Sequence, residues 1–160
     1  FQSICYSMGC APIIGYHYGA GNKDELKNLF KKSLRIILVM SIVLTVAAEA
    51  LARPLSMIFV SYDQELLEMT TYAFAVYSVS FLISGYNIYA SSFFTALNDG
   101  FTSALISFCR TLIFEVIAVL VLPVLFGAYG IWYAVITAEV FALMLSVFFL
   151  ARNRKKYGYI

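Results

Sequence analysis

The sequence predicts an all-α integral membrane protein of about five spanning helices. Three observations predict it. Hydrophobic residues make up 62% of the 160 residues and charged residues 12%, about half the charged share of an ordinary soluble domain. Mean hydropathy is +0.84. The apolar residues stand in long unbroken blocks, which leave too little polar surface for a water-soluble globule and show no alternating barrel pattern.

A bilayer core needs roughly 20 apolar residues of helix. The first segment, residues 1–20, opens "FQSICYSMGC" and carries no charge. It lacks the n-region and cleavage site of a signal peptide, and it reads as part of a longer membrane protein. Within it, Gly15 and Gly19 form a G-x-x-x-G pair that admits a close neighbour, and Pro12 can kink the helix. Gly21 and Asn22 suit a helix C-terminus. Tyr16, His17 and Tyr18 then fall at headgroup depth, where amphipathic rings are favoured.

In "NKDELKNLF", Asn22 and Glu25 have capping-box spacing, and Leu26, Leu29 and Phe30 form an apolar stripe. A short amphipathic surface helix is expected there, leading into the second span at residues 34–59. Glu49 and Arg53 are spaced for an intrahelical pair near that span's far end. The third span is expected at residues 70–97, the fourth at 102–125 and the fifth at 130–150. The links "SYDQE", "NDG" and "FGAYG" are short, so neighbouring helices are antiparallel.

Lys23, Lys27, Lys31, Lys32 and Arg35 follow the first segment, and Arg152, Arg154, Lys155 and Lys156 follow the fifth. Four helices separate the two basic clusters, which puts both on one side, cytoplasmic by the positive-inside rule. Cys5, Cys10 and Cys109 have no paired spacing and read as small apolar fillers.

In the third span Tyr77, Ser80, Ser84, Asn87, Ser91, Thr95 and Asn98 recur at steps of three or four on one narrow face. That face meets protein or a water-filled cavity. For the serines, helix-to-helix contact and a cavity lining both stay open; Asn87, with four hydrogen-bonding positions, reads as cavity-facing. In the fourth span Ser103, Ser107, Arg110, Thr111 and Glu115 fall within an arc of roughly 140°. Arg110 and Glu115 lie about 12 and 20 Å deep, and Glu139 is similarly deep in the fifth span. Intramembrane ionisable groups are functional candidates by default; the structural alternative pairs Arg110 with a carboxylate of another helix. No H-E-x-x-H, G-x-S-x-G, Walker or G-x-G-x-x-G pattern occurs. Neither an enzyme nor a metal, cofactor or nucleic-acid partner is expected.

"APIIGYHYGAGNKDELKNLFKKSLRI" resembles the glycine-bearing segment after the eighth helix of the multidrug and toxic compound extrusion (MATE) family. "SSFFTALNDGFTSALISFCRTLIF" and "LPVLFGAYGIWYAVITAEV" resemble that family's tenth to twelfth helices, in order. The resemblance implies a twelve-helix fold in two six-helix lobes, with this chain as most of the C-terminal lobe. It further implies efflux of cationic or amphipathic small molecules from the cell, coupled to inward H⁺ or Na⁺. The two lobes would rock around a central cavity, so the partners include the bilayer and an N-terminal lobe.

On that reading Glu115, Arg110 and Glu139 are candidates for cation coupling, since an ionised carboxylate attracts a cation and a protonated one releases it. Tyr77, Ser84, Tyr86, Asn87 and Ser91 would line the substrate cavity, with cation–π contacts from the two tyrosines. Pro12, Gly15 and Gly19 would serve packing and hinge motion. Sodium-coupled members carry an acid in the helix that the third span resembles. Ser84 stands at that place here, so that cation site does not carry over. A lipid-linked oligosaccharide flippase of the same superfamily would need several intramembrane cations for its pyrophosphate substrate, whereas the deep charges are Glu115 and Glu139 against Arg110. A non-transporting scaffold would not need polar stripes on two successive helices.

Overall fold

The structure, a computed structural model, describes residues 2–127 and 130–159. Phe1, at the start of the first expected segment, Ala128 and Tyr129 of the "FGAYG" link, and Ile160 lie outside the described residues. The elements run α1 (Gln2–Gly19), α2 (Lys23–Val60), α3 (Gln64–Ala96), α4 (Gly100–Phe108), a π turn (Cys109–Phe114), α5 (Glu115–Phe126) and α6 (Gly130–Tyr157). Among the described residues, four helical columns are long and apolar enough to cross a membrane: α2, α3, the α4–π–α5 column over Gly100–Phe126, and α6. The chain is an all-α membrane protein.

The same local device joins two pairs of helices. At the end of α1 the Asn22 N–H donates to the His17 carbonyl (3.0 Å) and the Gly21 N–H to that of Tyr18 (3.1 Å). Gly21 takes the left-handed conformation (φ 69°) that this motif requires. Asn22 at once caps α2, accepting from the Glu25 N–H at 3.2 Å. The end of α3 repeats this pattern. The Asp99 N–H reaches the Phe94 carbonyl (2.9 Å), Asn98 is left-handed (φ 62°), and Asp99 caps α4 through the Thr102 N–H (3.2 Å). Asn98 is therefore the turn residue after α3 rather than a member of its polar face.

Two local expectations change. The Asn22 N–H is already committed to His17, so the capping box stays half closed; the Glu25 carboxylate accepts from Asn28 Nδ2 instead (3.5 Å). The surface helix and second span are also one unbroken 38-residue helix, about 57 Å long. Neither Gly nor Pro stands between Lys23 and Arg53 to end it, and Pro54 is accommodated inside it.

α3 is the central helix and touches α1, α2, α4 and α6. Its Tyr89, Phe93, Phe94 and Leu97 form the main core with Ile14 of α1, Phe30 of α2 and Ile106 of α4. Gly15 lies against the Ala96 backbone of α3, where a methyl would sit 3.4 Å from the carbonyl oxygen; Gly19 has nothing within 4 Å. Pro12 sits inside α1.

α5 and α6 pack differently, through small residues. Gly130, Ala134, Ala138, Ala142 and Ser146 recur every fourth residue along α6 and are all buried. Ala134 and Ala138 meet Ala118 of α5. Small residues let membrane helices approach closely without a hydrophobic driving force between them.

The chain's last described residues complete one end of the bundle. Tyr159 is fully buried, its ring 5.0 Å from Phe93 and 5.2 Å from Phe30, and its hydroxyl donates to the Leu150 carbonyl (2.8 Å). Gly158 (φ 71°) lies against the Lys23 side chain, and Tyr157 meets Tyr18 edge-on at 5.7 Å. The two basic clusters therefore occupy the same end of the molecule.

Candidate functional site

The polar residues of α3, the π turn and α6 converge on Glu139. Arg110 grips its carboxylate with two nitrogens: Nη2 donates to Oε1 at 2.7 Å, and Nε lies 3.1 and 3.2 Å from Oε1 and Oε2. Asn87 approaches from α3 and donates through Nδ2 to Glu139 Oε2 (2.7 Å) and to the Glu139 carbonyl (3.0 Å). Ser146, two turns further along α6, donates to Asn87 Oδ1 at 3.1 Å. The Arg110 and Glu139 side chains are 23% and 10% exposed. A bidentate guanidinium–carboxylate contact is the strong form of such a pair, and it gives each largely buried group its partner.

The burial of Asn87 corrects its expected place on a cavity wall. It is 1% exposed and turned into α6, where protein groups satisfy both ends of its amide. Ser91 also bonds within the protein. Its hydroxyl lies 2.9 Å from Ser103 Oγ and 2.7 Å from Ser107 Oγ, and Thr95 Oγ1 lies 2.7 Å from Ser103 Oγ. These hydroxyls fasten α3 to α4. Ser84 and Tyr86 are half-buried, with Tyr86 packed against the aromatic core. Tyr77 is 46% exposed and meets Phe81 edge-on.

Glu115 separates from its expected companions. It is exposed at the start of α5, whereas Arg110 is turned into α6. The sequence arc assumed 100° per residue throughout. The π turn at Cys109–Phe114 has i→i+5 bonding, so that count does not hold between Arg110 and Glu115. Arg110 is paired with Glu139 inside the bundle, and Glu115 is exposed.

Ion pairs among the described residues are Arg110–Glu139 and Lys156–Asp99, the latter at 3.9 Å. Glu49 and Arg53 do not form one. Glu49 accepts from Ser78 Oγ (3.4 Å), and Arg53 lines a cavity of about 500 Å³ with Gln64, Glu68 and Tyr72. The hydroxyls of Tyr72 and Tyr133 meet between α3 and α6.

At the opposite end, the Tyr157 hydroxyl donates to Asp99 Oδ2 at 2.7 Å. Partial burial pushes the Asp99 carboxyl up. The hydrogen bonds from Tyr157 and Thr102, with the Lys156 charge, outweigh this and hold it below the usual carboxylate range.

Sequence reasoning missed Ser146 and the Asp99–Tyr157 bond. Ser146 had a signal, since it closes the every-fourth-residue row on α6; the second bond spans the turn after α3 and the end of α6 and had none.

The MatE family model matches residues 1–121. Multidrug export protein MepA of Staphylococcus aureus strains MSSA476 and MW2 is 27% identical over 146 residues, covering 89% of this chain and 32% of that protein. The protein of the same name from the bovine strain RF122 / ET3-1 is 26% identical over the same shares. The chain spans about a third of the length of these relatives. No solved structure matches it. With the match covering three-quarters of a chain that forms a multi-helix membrane bundle, the chain belongs to the MatE family.

Proposed function

We propose that this chain is most of the C-terminal lobe of a secondary active multidrug exporter of the cell membrane. In this reading the complete protein expels cationic or amphipathic small molecules in exchange for H⁺ or Na⁺, with its basic end in the cytoplasm. The similarity to multidrug export proteins supports efflux. The observation that carries the mechanism is the split of charge in the α4–π–α5 column: Arg110 is neutralised by Glu139, while Glu115 is exposed without a polar partner among the described residues. A carboxylate at mid-depth that the lobe does not neutralise suits a site facing the other lobe, where it would bind a cation when ionised and release it when protonated. Arg110, Glu139 and Asn87 would hold the helices that present it. Pro12, Gly15 and Gly19 would give the packing and bend of α1, and Tyr77, Ser84 and Tyr86 would border the substrate path.

The test is dye efflux from vesicles containing the full-length protein under an imposed H⁺ or Na⁺ gradient. Glu115→Gln keeps the shape and removes the charge. It should leave insertion intact while abolishing gradient-driven efflux of a cationic dye and the pH dependence of dye binding. Wild-type rate and pH profile in this variant would remove Glu115 from the mechanism. Failure of the unaltered protein to export any dye under either gradient would overturn the exporter reading itself.

A further inference from the structure

Nine of the chain's eleven Lys and Arg residues belong to the two basic clusters; the others are Arg53 and Arg110. The clusters lie at opposite ends of the sequence, yet Lys23 touches Gly158 and Tyr159 packs on Phe30, so they form one basic end. The nearby acids, Asp24, Glu25 and Asp99, leave a surplus of six positive charges (nine minus three). Asp99 is already engaged by Tyr157 and Lys156. Lys31, Lys32, Arg35, Arg152, Arg154 and Lys155 are exposed and have no ion-pair partner among the described residues.

Two further features set the depth of this surface. Tyr16 and Tyr18, 72% and 38% exposed, lie at the same end, as rings do at the level of lipid headgroups. On α2 the buried positions Leu26, Phe30, Ser33 and Ile37 keep one face inward. Lys31, Lys32 and Arg35 occupy the outer face just before the apolar stretch begins. The cations thus form a collar at the bilayer boundary, where a polybasic surface attracts anionic lipid headgroups.

We propose that this collar is a single binding surface for anionic phospholipid headgroups, shared by the start of α2 and the end of α6. A headgroup phosphate there would screen two clusters that otherwise repel each other, and so would hold this end of the bundle closed. The inference does not depend on transport or on which side of the membrane this end faces.

The experiment uses the full-length protein and two lipids, phosphatidylglycerol and phosphatidylcholine. Native mass spectrometry reads how many molecules of each stay bound, and thermal unfolding in vesicles reads the stabilisation. Phosphatidylglycerol should be retained preferentially and should raise the unfolding midpoint, and both effects should shrink as salt is added. The variant Lys31→Gln/Lys32→Gln/Arg154→Gln/Lys155→Gln should lose that preference by at least about tenfold, while the corresponding Lys→Arg variant keeps it. Either half of the substitution, on α2 or on α6 alone, should already weaken it. Equal retention of the two lipids, a preference unchanged by salt, or full retention in the glutamine variants would overturn the proposal. Complete competition by inorganic phosphate would overturn it too, as the mark of a free-anion site rather than a lipid surface.

Discussion

Removing the charge of Glu139 leaves the Arg110 guanidinium facing α6 with no carboxylate to meet it. The loss should exceed that of an exposed pair, because a half-removed buried pair costs about 3–5 kcal/mol. Glu139→Gln and Arg110→Ala should each lower the unfolding midpoint in detergent strongly. Arg110→Met combined with Glu139→Leu should recover much of the loss, and additive single effects would deny the coupling. A second residue-scale prediction concerns pH. Asp99 is held below its ordinary value, so its contribution to stability is complete above about pH 4 and is lost as the pH falls through its folded-state value. Measured against the intrinsic exchange rate at each pH, the protection of residues 153–159 should fall on acidification in the wild type. Asp99→Asn should show low protection already at neutral pH and little further change. Depth alone marked Arg110 and Glu139 in the sequence as residues that need a reason. That Arg110 could pair with a carboxylate of another helix was legible; that the carboxylate is Glu139 was not, because it depends on how the α4–π–α5 column and α6 rotate against each other. Asn87 shows the same limit: its unused bonding capacity was legible, but its partners, on a helix 52 residues away, were not.

At the scale of elements, the hydropathy blocks gave the helices and most of their order. What they could not give was phase. The π turn contains no Gly or Pro and nothing in "CRTLIF" announces it, yet it changes the angular count between Arg110, which pairs with Glu139, and Glu115, which is exposed. The α5–α6 seam was legible in principle, since small residues at every fourth position are a packing signature. Gly130 is its tightest point: a methyl there would lie 2.3 Å from the Leu122 carbonyl oxygen and 2.8 Å from the Pro123 nitrogen. Both neighbours are backbone and cannot rotate aside. Gly130→Ala should therefore force α5 and α6 apart at a cost of about 1–3 kcal/mol, read as a lowered unfolding midpoint. Gly19→Ala, where the space is open, should leave the midpoint nearly unchanged. Equal effects at the two glycines would contradict the seam.

At the scale of the whole molecule, charge arithmetic on the sequence put the two basic clusters on one side, and the bundle brings them together through contacts that no hydropathy profile reports. A topology reporter inserted at Tyr62, in the exposed turn between α2 and α3, should read the face opposite to one inserted at Asn28. A shared face would break the up-and-down order of the columns. The burial of Tyr159 carries a further consequence, for biogenesis. Phe30 and Phe93 are made before α6, but the ring that packs on them, Tyr159, lies beyond it. Until α6 has been delivered, Phe30 of α2 and Phe93 of α3 lack the ring that covers them, so closure of this end is a long-range event that local helix formation cannot hasten. A newly made chain stalled within α6 should therefore be held by chaperones or the insertion machinery, and a chain stalled after "YGY" has emerged should be held less.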